Sequence, residues 1–219
     1  MTDARAAAVV LAAAPRPGRC KTRLEPLLGP DGCAALQAVL IRRAAAWAAE
    51  VGTPYVAFGP ADARDEVAEL APGARLIELA GDDPVARVAA AADAVLAEHG
   101  GPVLLVGVDT PQIRPQVGRQ ALEDLAAGCD LTFGPSADGR FYLVGLREPH
   151  PEVFALPEGA WQGPRVLELA LTAAHEAGLD LAMLRGERAL HEEGDARAVL
   201  ADPCAPDDVA EVLRAWADR

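Results

Sequence analysis

A basic loop near the start of the chain is the first segment whose side chains could bind a ligand. Residues 15–24 hold four of the twenty Lys and Arg residues of a chain whose formal net charge is −13. A cationic island attracts a small polyanion; arginine can grip phosphate oxygens as a fork, and lysine adds a compact point charge. Gly18 would let the backbone approach a ligand closely. The loop fits neither a Walker motif nor a G-x-G-x-x-G motif, and a solvated loop that balances nearby acids remains the alternative.

A carboxylate follows the most hydrophobic stretch of the sequence. Residues 103–108 read VLLVGV and deliver Asp109 at their end. A carboxylate at the end of a buried strand is a hard oxygen ligand for Mg²⁺ or Mn²⁺, and a metal there would neutralise a phosphate held by the basic loop. The alternative is an aspartate that caps the following turn or helix. The coincidence with the basic loop favours the metal hypothesis.

Other polar and aromatic residues offer weaker signals. Asp138 could contact an acceptor hydroxyl or act as a base, although an Asp-Gly hairpin turn is the simpler interpretation. Trp161 could present an aromatic face to a sugar or base, although a lone Trp before a helix more often packs. Glu193 or Asp195 could complete a metal site, although acidic surface clusters are usually solvated.

Composition excludes several classes of function. The pI near 4.7 and the negative charge argue against general affinity for nucleic acid or for anionic membranes. The apolar run at 6–14 has nine residues, well short of the roughly 20 residues of a membrane span. A Pro/Arg-rich loop follows it, which indicates a buried strand rather than a signal peptide. The four cysteines lack C-x-x-C spacing, so we expect free thiols rather than a zinc site in a cytoplasmic protein.

The elements that position these residues alternate along the chain. Apolar runs, typical of parallel strands covered on both faces, predict strands at 7–13, 55–58, 75–79, 103–108, 131–133, 141–146 and 179–184. Helical periodicity with glycine stops predicts helices at 31–50, 62–70, 84–98, 116–127 and 165–177, with more near the C-terminus. This order predicts one α/β domain over 1–219, a Rossmann-like, mostly parallel sheet with helices on both faces and a short antiparallel excursion around Asp138.

The predicted sheet places the candidate residues at one edge. In open α/β sheets, ligands bind outside the carboxyl ends of the strands. Three polar loops meet that description: 14–24, 109–112 and 134–140. We therefore expect the basic loop and Asp109 to share a cleft.

At these loops the sequence resembles a bacterial transferase family known as arsenosugar-biosynthesis-type glycosyltransferases, or selenodomain-associated transferases. That family belongs to the nucleotide-diphospho-sugar transferase superfamily. The resemblance rests on three stretches that keep their order and spacing over almost the whole chain: Ala14–Leu24, Gly107–Pro111 and Gly134–Leu146.

The resemblance implies a GT-A-like fold, in which a nucleotide-binding half continues without a break into an acceptor-binding half. It implies that Lys21 and Asp109 are catalytic and that Asp109 and Glu193 bind Mg²⁺ or Mn²⁺. The implied contacts of the nucleotide are Ala12, Pro15, Arg16, Gly18, Lys21 and Arg23. The implied contacts of the small-molecule acceptor are Asp138, Tyr142 and Trp161.

The chain departs from that family's usual pattern at four places. Ala13 stands where the family usually has Lys, and residues 139–142 (GRFY) replace two glycines and two tyrosines. Residues 161–164 (WQGP) replace Trp-Ser-Thr-Pro, and 191–195 (HEEGD) replace Asp-x-Asp-Thr-Pro, which leaves Glu193 at an acidic ligand position.

Three functions fit these observations. The resemblance over the whole chain favours glycosyl transfer from a nucleotide sugar to a small-molecule acceptor. The loop favours nucleotidyl transfer to a phosphorylated acceptor, because four cations suit a triphosphate and the segment at Asp109 lacks a D-x-D pair. The departures near Glu193 leave open a nucleotide-binding protein with impaired catalysis.

Overall fold

A twisted sheet divides the molecule into two helical layers. The computed structural model describes residues 6–81, 83–157 and 159–217. Its strands are β1 Ala7–Ala13, β2 Thr53–Gly59, β3 Arg75–Glu78, β4 Val103–Gly107, β5 Leu131–Pro135, β6 Phe141–Leu146 and β7 Leu181–Met183. Its α-helices are α1 Glu25–Val51, α2 Arg64–Leu70, α3 Pro84–His99, α4 Pro115–Ala126, α5 Val166–Glu176, α6 Glu193–Ala201 and α7 Asp207–Ala217.

The sheet is mostly parallel, as the sequence predicts. Its seven strands are ordered β3-β2-β1-β4-β6-β5-β7. Strands β1 to β4 pair in parallel, β5 pairs in parallel with β7, and β6 runs antiparallel between β4 and β5. The predicted antiparallel excursion is therefore confirmed: the turn after β5 returns the chain as β6, which inserts beside β4.

Both faces of the sheet are covered, which explains the lack of polar alternation in the strands. In β1, Ala8 and Val10 pack in the core cluster formed with α1, whereas Ala7 and Val9 pack in the cluster on the other side. Successive strand residues point to opposite faces. A strand buried on both faces must therefore be apolar at every position.

Helix α1 begins earlier than its periodicity predicts. It starts at Glu25 rather than near Asp31, because two helical segments join across Gly29, whose φ is 65° and ψ 169°. Pro30 follows, and its fixed φ suits the first turn of the second segment. The predicted helix corresponds to that second segment.

Two expectations about the chain as a whole can be compared with the structure. Cys20, Cys33, Cys129 and Cys204 are all free thiols, as expected. Among the described residues, no helix combines the length and the apolar character that a membrane crossing requires.

Candidate active site

Four chain segments meet at the edge where the parallel strands end. The loop after β1 supplies Lys21, the end of β4 supplies Asp109, the turn after β5 supplies Asp138, and the segment after β7 supplies His191. The Lys21 ammonium contacts Asp109 Oδ1, and His191 Nε2 lies 3.5 Å from Asp138 Oδ2. The Leu190 N–H donates to the Asp109 carbonyl at 2.7 Å, which ties the last segment to the end of β4.

Lys21 occupies an unusual backbone conformation. Its φ of 52° and ψ of 32° lie in the left-handed region, which a residue with a side chain enters at a cost of about 1–2 kcal/mol. The side chain is 7% exposed, and its ammonium lies 3.5 Å from the Leu190 carbonyl oxygen in addition to contacting Asp109. Burial lowers the pKa of Lys21 to about 7, and the nearby Cys20 and Cys33 oppose that shift. Contact with the Asp109 carboxylate favours the charged ammonium. The strained turn thus aims a buried cation at the end of β4.

Asp109 has one carboxylate oxygen engaged and one facing His191. Lys21 contacts Oδ1, and Oδ2 lies 3.9 Å from His191 Nε2. Helix α4 begins six residues later, and no side chain of the described residues caps its N-terminus at Arg114. Helix capping therefore does not account for Asp109, whereas an ion pair in a cleft does.

His191 is the residue that the sequence argument missed. Its ring lies between the carboxylates of Asp109 and Asp138, at 3.9 and 3.5 Å. Burial and the charge of Lys21 lower the pKa of His191 to about 4, although Asp138 opposes the shift. The imidazole is therefore neutral near neutral pH. Its only signal in the sequence was its place after the last predicted strand, within a segment that the family resemblance treats as acidic.

Two adjacent cavities open onto these groups. The first has a volume of about 380 Å³ and is lined by basic loop residues, among them Arg19, Lys21 and Arg23. The second has a volume of about 160 Å³ and is lined by Ser136, Tyr142 and Trp161, among others. Three side chains line both cavities: Asp109, Arg140 and His191. The arrangement suits a polyanion in the first cavity and a second reactant in the other.

The predicted nucleotide contacts divide into two groups. Lys21 and Arg23 line the basic cavity, together with Arg19 and Ala13. Ala12 instead packs in the core, because neighbouring strand residues face opposite sides and Ala13 is the one that faces the cavity.

Arg16 is turned towards the first turns of α2 and the segment before it. Its Nη1 donates to both oxygens of the Asp62 carboxylate, at 2.9 and 3.0 Å, and its Nε donates to Glu66 at 3.3 Å. Pro15 and Gly18 lie in the same loop, and neither lines the basic cavity. Of the loop cations, the cavity therefore receives Arg19, Lys21 and Arg23.

The predicted acceptor contacts all lie beside the second cavity. Asp138 Oδ1 accepts from the Arg140 N–H at 3.3 Å, so this residue stabilises its turn as well as facing His191. The Tyr142 hydroxyl donates to the Arg185 carbonyl at 3.0 Å, and burial raises its pKa. Trp161 stacks on Phe154 with an interplanar angle of 2°. Tyr142 and Trp161 thus pack as well as line the cavity.

The structure does not bring Glu193 to Asp109. Glu193 lies in the first turn of α6, and its carboxylate pairs with Arg197 one turn later. Asp195 accepts from the His191 and Glu192 N–H groups at 3.1 and 3.0 Å and caps the same helix. The acidic segment therefore fixes the backbone at His191, and the imidazole is the side chain that it delivers to Asp109.

A mostly parallel sheet with helices on both faces and a cleft at its carboxyl edge defines the Rossmann-like α/β class of folds. A protein from Desulfovibrio desulfuricans G20, provisionally assigned as a nucleotide-diphospho-sugar transferase, has a structure that covers 96% of this chain and 94% of its own. Its TM-score is 0.83 at 23% identity. This likeness confirms the predicted fold.

Two further solved structures share the fold at lower similarity. One is 4-diphosphocytidyl-2C-methyl-D-erythritol synthase, with 90% of this chain and 98% of its own covered, a TM-score of 0.58 and 14% identity. The other is CMP:2-keto-3-deoxy-manno-octonic acid synthetase in complex with CTP, with 90% and 97% covered, a TM-score of 0.56 and 16% identity.

The chain belongs to the family described as "Uncharacterized protein conserved in bacteria (DUF2064)", whose model matches residues 40–158. That match begins within α1 and ends after β6, so it includes Asp109 and the Asp138 turn. No curated protein sequence matches the chain.

Proposed function

We propose that this protein is a metal-dependent glycosyltransferase that moves a sugar from a nucleotide-sugar donor to a small-molecule acceptor. The observation that carries the proposal is the convergence of buried Lys21 with Asp109 at the mouth of a cavity lined by Arg19 and Arg23. The fold supports it, because a solved structure with a TM-score of 0.83 to this chain carries a provisional sugar-transferase assignment. The narrower resemblance to arsenosugar-biosynthesis-type enzymes supports the same class.

The donor's diphosphate would occupy the cavity of about 380 Å³. Arg19 and Arg23 would contact the outer phosphate oxygens, and the Lys21 ammonium would stabilise the charge that develops on the departing nucleotide diphosphate. A fixed cation in a position shielded from water is effective here. It stabilises the negative charge of the leaving group without any rearrangement of protein or solvent.

Asp109 and His191 would hold Mg²⁺ or Mn²⁺. Asp109 offers Oδ2, since Lys21 contacts Oδ1, and the neutral His191 ring offers a nitrogen 3.9 Å from that oxygen. A carboxylate with an imidazole suits Mn²⁺, and a carboxylate with waters suits Mg²⁺. When bound, the ion supplies further neutralisation of the diphosphate. Glu193, which the family resemblance implies as a ligand, would need to leave Arg197 to take part.

The acceptor would enter the second cavity, lined by Ser136, Tyr142 and Trp161. Trp161 would offer an aromatic edge to a sugar or another apolar surface. The Asp138 carboxylate, held by its turn and by His191, would orient an acceptor hydroxyl and receive its proton.

Nucleotidyl transfer is the second candidate, and a specific observation favours it. Three cations of one short loop line the basic cavity, a number that suits a triphosphate and its pyrophosphate leaving group. The fold is also that of a synthetase solved with CTP. In this case a phosphorylated acceptor would attack the α-phosphorus from the second cavity.

Thermal unfolding with a panel of nucleotides tests the proposal and separates the two reactions. We expect a rise in Tm that requires Mg²⁺ or Mn²⁺, because a ligand at 100 times its Kd adds about 2.7 kcal/mol to stability. Stabilisation by nucleotide sugars and diphosphates supports glycosyl transfer, and stabilisation mainly by triphosphates supports nucleotidyl transfer.

Lys21→Met and Asp109→Asn should remove most of that stabilisation and abolish transfer while the protein stays folded. Arg119→Met is the matched control, because it removes one positive charge from an exposed position on α4. The proposal fails if no nucleotide gives a metal-dependent shift, or if the Lys21 and Asp109 variants respond like the wild type.

A further inference from the structure

A second group of potential ligands lies at the opposite edge of the sheet from the candidate active site. A ring nitrogen of His150 and one carboxylate oxygen each from Asp130 and Glu148 all lie within 4.8 Å of one another. Asp130 immediately precedes β5, and Glu148 and His150 follow the end of β6. The antiparallel register pairs Leu131 with Leu146, which brings these two strand ends together.

His150 is prepared as a metal ligand by its neighbours. Its side chain is 6% exposed, and its Nδ1 lies 3.1 Å from Glu152 Oε1. Its Nε2 is buried and has no hydrogen-bond partner among the described residues. Metal-binding histidines usually donate their second ring N–H to a carboxylate, which fixes the tautomer and leaves the other nitrogen's lone pair for the ion. The Glu152 contact supplies that arrangement.

The charge around His150 is also suited to a cation. Three carboxylates, those of Asp130, Glu148 and Glu152, surround the imidazole, and Arg147 pairs with the first of them. Asp130 Oδ2 additionally accepts from the Asp180 N–H at 2.9 Å, which holds that carboxylate in place. One guanidinium against three carboxylates leaves a local net negative charge that a divalent ion would balance.

We propose that Asp130, Glu148 and His150 bind a divalent first-row transition-metal ion, with Glu152 as the group that orients the imidazole. One imidazole with two carboxylates favours Mn²⁺ or Zn²⁺ over Mg²⁺ or Ca²⁺, which prefer all-oxygen sites. The ion would use the otherwise unpaired Nε2, whose burial without a partner is unfavourable.

The bound ion would act as a structural link. It would join the start of β5 and the end of β6 to the short 3-10 helix Pro151–Val153. Phe154 follows that helix, and its ring and carbonyl contact Trp161 at the wall of the second cavity. The site would therefore hold one wall of the cavity in place from a distance, without contact with any reactant.

Mn²⁺ alone, without nucleotide, is the probe that tests this site. The full chain carrying Asp109→Asn is titrated with Mn²⁺, and the free ion is counted by its EPR signal; Mn²⁺ also avoids the thiol groups. We expect one bound ion per chain, ¹⁴N coupling from an imidazole in pulsed EPR, and a rise in Tm with Mn²⁺. The Asp109→Asn background separates this site from the proposed active site.

Ligand variants complete the test. Glu148→Gln, at an exposed position, should lower the Mn²⁺ affinity at least tenfold without loss of folding, and His150→Gln should also remove the ¹⁴N coupling. Glu123→Gln, exposed on α4, is the matched control and should bind as tightly as its parent. The proposal is overturned if the Asp109→Asn chain binds no Mn²⁺, or if Glu148→Gln retains the parent's affinity.

Discussion

Lys21 is the only lysine in a sequence with nineteen arginines. It is also the buried cation of the candidate site, with its side chain 7% exposed and its ammonium against Asp109. A compact ammonium on a flexible stem can enter a narrow space that a planar guanidinium does not fit. The geometry therefore explains the residue type: this position has room for a compact ammonium but not for a planar guanidinium.

Lys21→Arg should weaken nucleotide binding even though it keeps the positive charge. The larger guanidinium has no room at a 7% exposed position and should displace either Asp109 or the Leu190 carbonyl. We expect the affinity for a nucleoside diphosphate with Mn²⁺ to fall at least tenfold, or about 1.4 kcal/mol, as measured by calorimetry. Wild-type affinity in Lys21→Arg would show that charge alone is sufficient and that the tight fit is irrelevant.

The cysteines offer a pH-dependent prediction. Burial raises the pKa of Cys33 to about 11 and raises that of Cys20, and the thiolate is the reactive form. Near pH 8 these two thiols should therefore react far more slowly with iodoacetamide than exposed Cys204, and their rates should climb as the pH approaches 11. Mass spectrometry of labelled peptides gives each rate. Equal labelling of Cys33 and Cys204 in the folded protein near pH 8 would contradict this account.

At the scale of single residues, the sequence predicted the site in part. Lys21 was found because it lies in a basic loop after an apolar run, and Asp109 because it directly follows another apolar run; both patterns are local. His191 was missed because its role depends on two carboxylates more than fifty residues away, at 3.9 and 3.5 Å. Arg16 has the chemistry for phosphate, but its direction is set by Asp62 and Glu66, which no local pattern reveals.

The turn between β5 and β6 is the element that brings Asp138 and Arg140 to the cleft. Gly139 makes this turn possible: its φ is 83°, and a Cβ there would lie 1.8 Å from the Pro164 carbonyl oxygen. Its own carbonyl accepts from the Leu167 N–H at 3.2 Å, which fastens the turn to the start of α5. Only glycine satisfies both the positive φ and the close approach.

Gly139→Ala should therefore destabilise the protein more than Gly73→Ala. Gly73 has the same φ of 83° but nothing within 4 Å of its added Cβ, so that change should cost only the left-handed strain of about 1–2 kcal/mol. The clash at Gly139 should add at least about 1 kcal/mol. Urea unfolding monitored by circular dichroism measures both variants. Equal losses would mean that the turn moves freely away from Pro164.

At the scale of elements, sequence patterns predicted where the strands lie along the chain but not which strands lie side by side in the sheet. The central strands were recognised because burial on both faces demands an unbroken apolar run. The insertion of β6 between β4 and β5 was not predictable, because strand pairing is decided by contacts between distant segments. The early start of α1 was also missed, since Gly29 and Pro30 interrupt the periodicity that marks a helix.

The charge of the whole molecule limits what the basic loop can bind. The net charge of −13 surrounds a small cationic cleft, so a long polyanion would meet repulsion over most of its length. Labelled duplex DNA should therefore show no binding at about 0.15 M salt, while a nucleotide with Mn²⁺ binds under the same conditions. Fluorescence anisotropy measures the first and calorimetry the second. Tight DNA binding that weakens steeply with salt would contradict this view of the cleft.

The two edges of the sheet provide separate places for the two cation sites that we propose. Its carboxyl edge gathers Lys21, Asp109 and His191 around the cavities, whereas the opposite edge gathers Asp130, Glu148 and His150 beside the ends of two strands. Ligands in this fold class bind at the carboxyl edge. We therefore assign reaction chemistry to the first group and structural support to the second.

Diffraction from a crystal soaked with a nucleoside diphosphate and Mn²⁺ tests the central claim most directly. The account predicts an anomalous Mn²⁺ peak beside Asp109 Oδ2 and diphosphate density against Arg19, Lys21 and Arg23. Diphosphate bound elsewhere on the molecule, or diphosphate in the cleft with no Mn²⁺ beside Asp109, would contradict it.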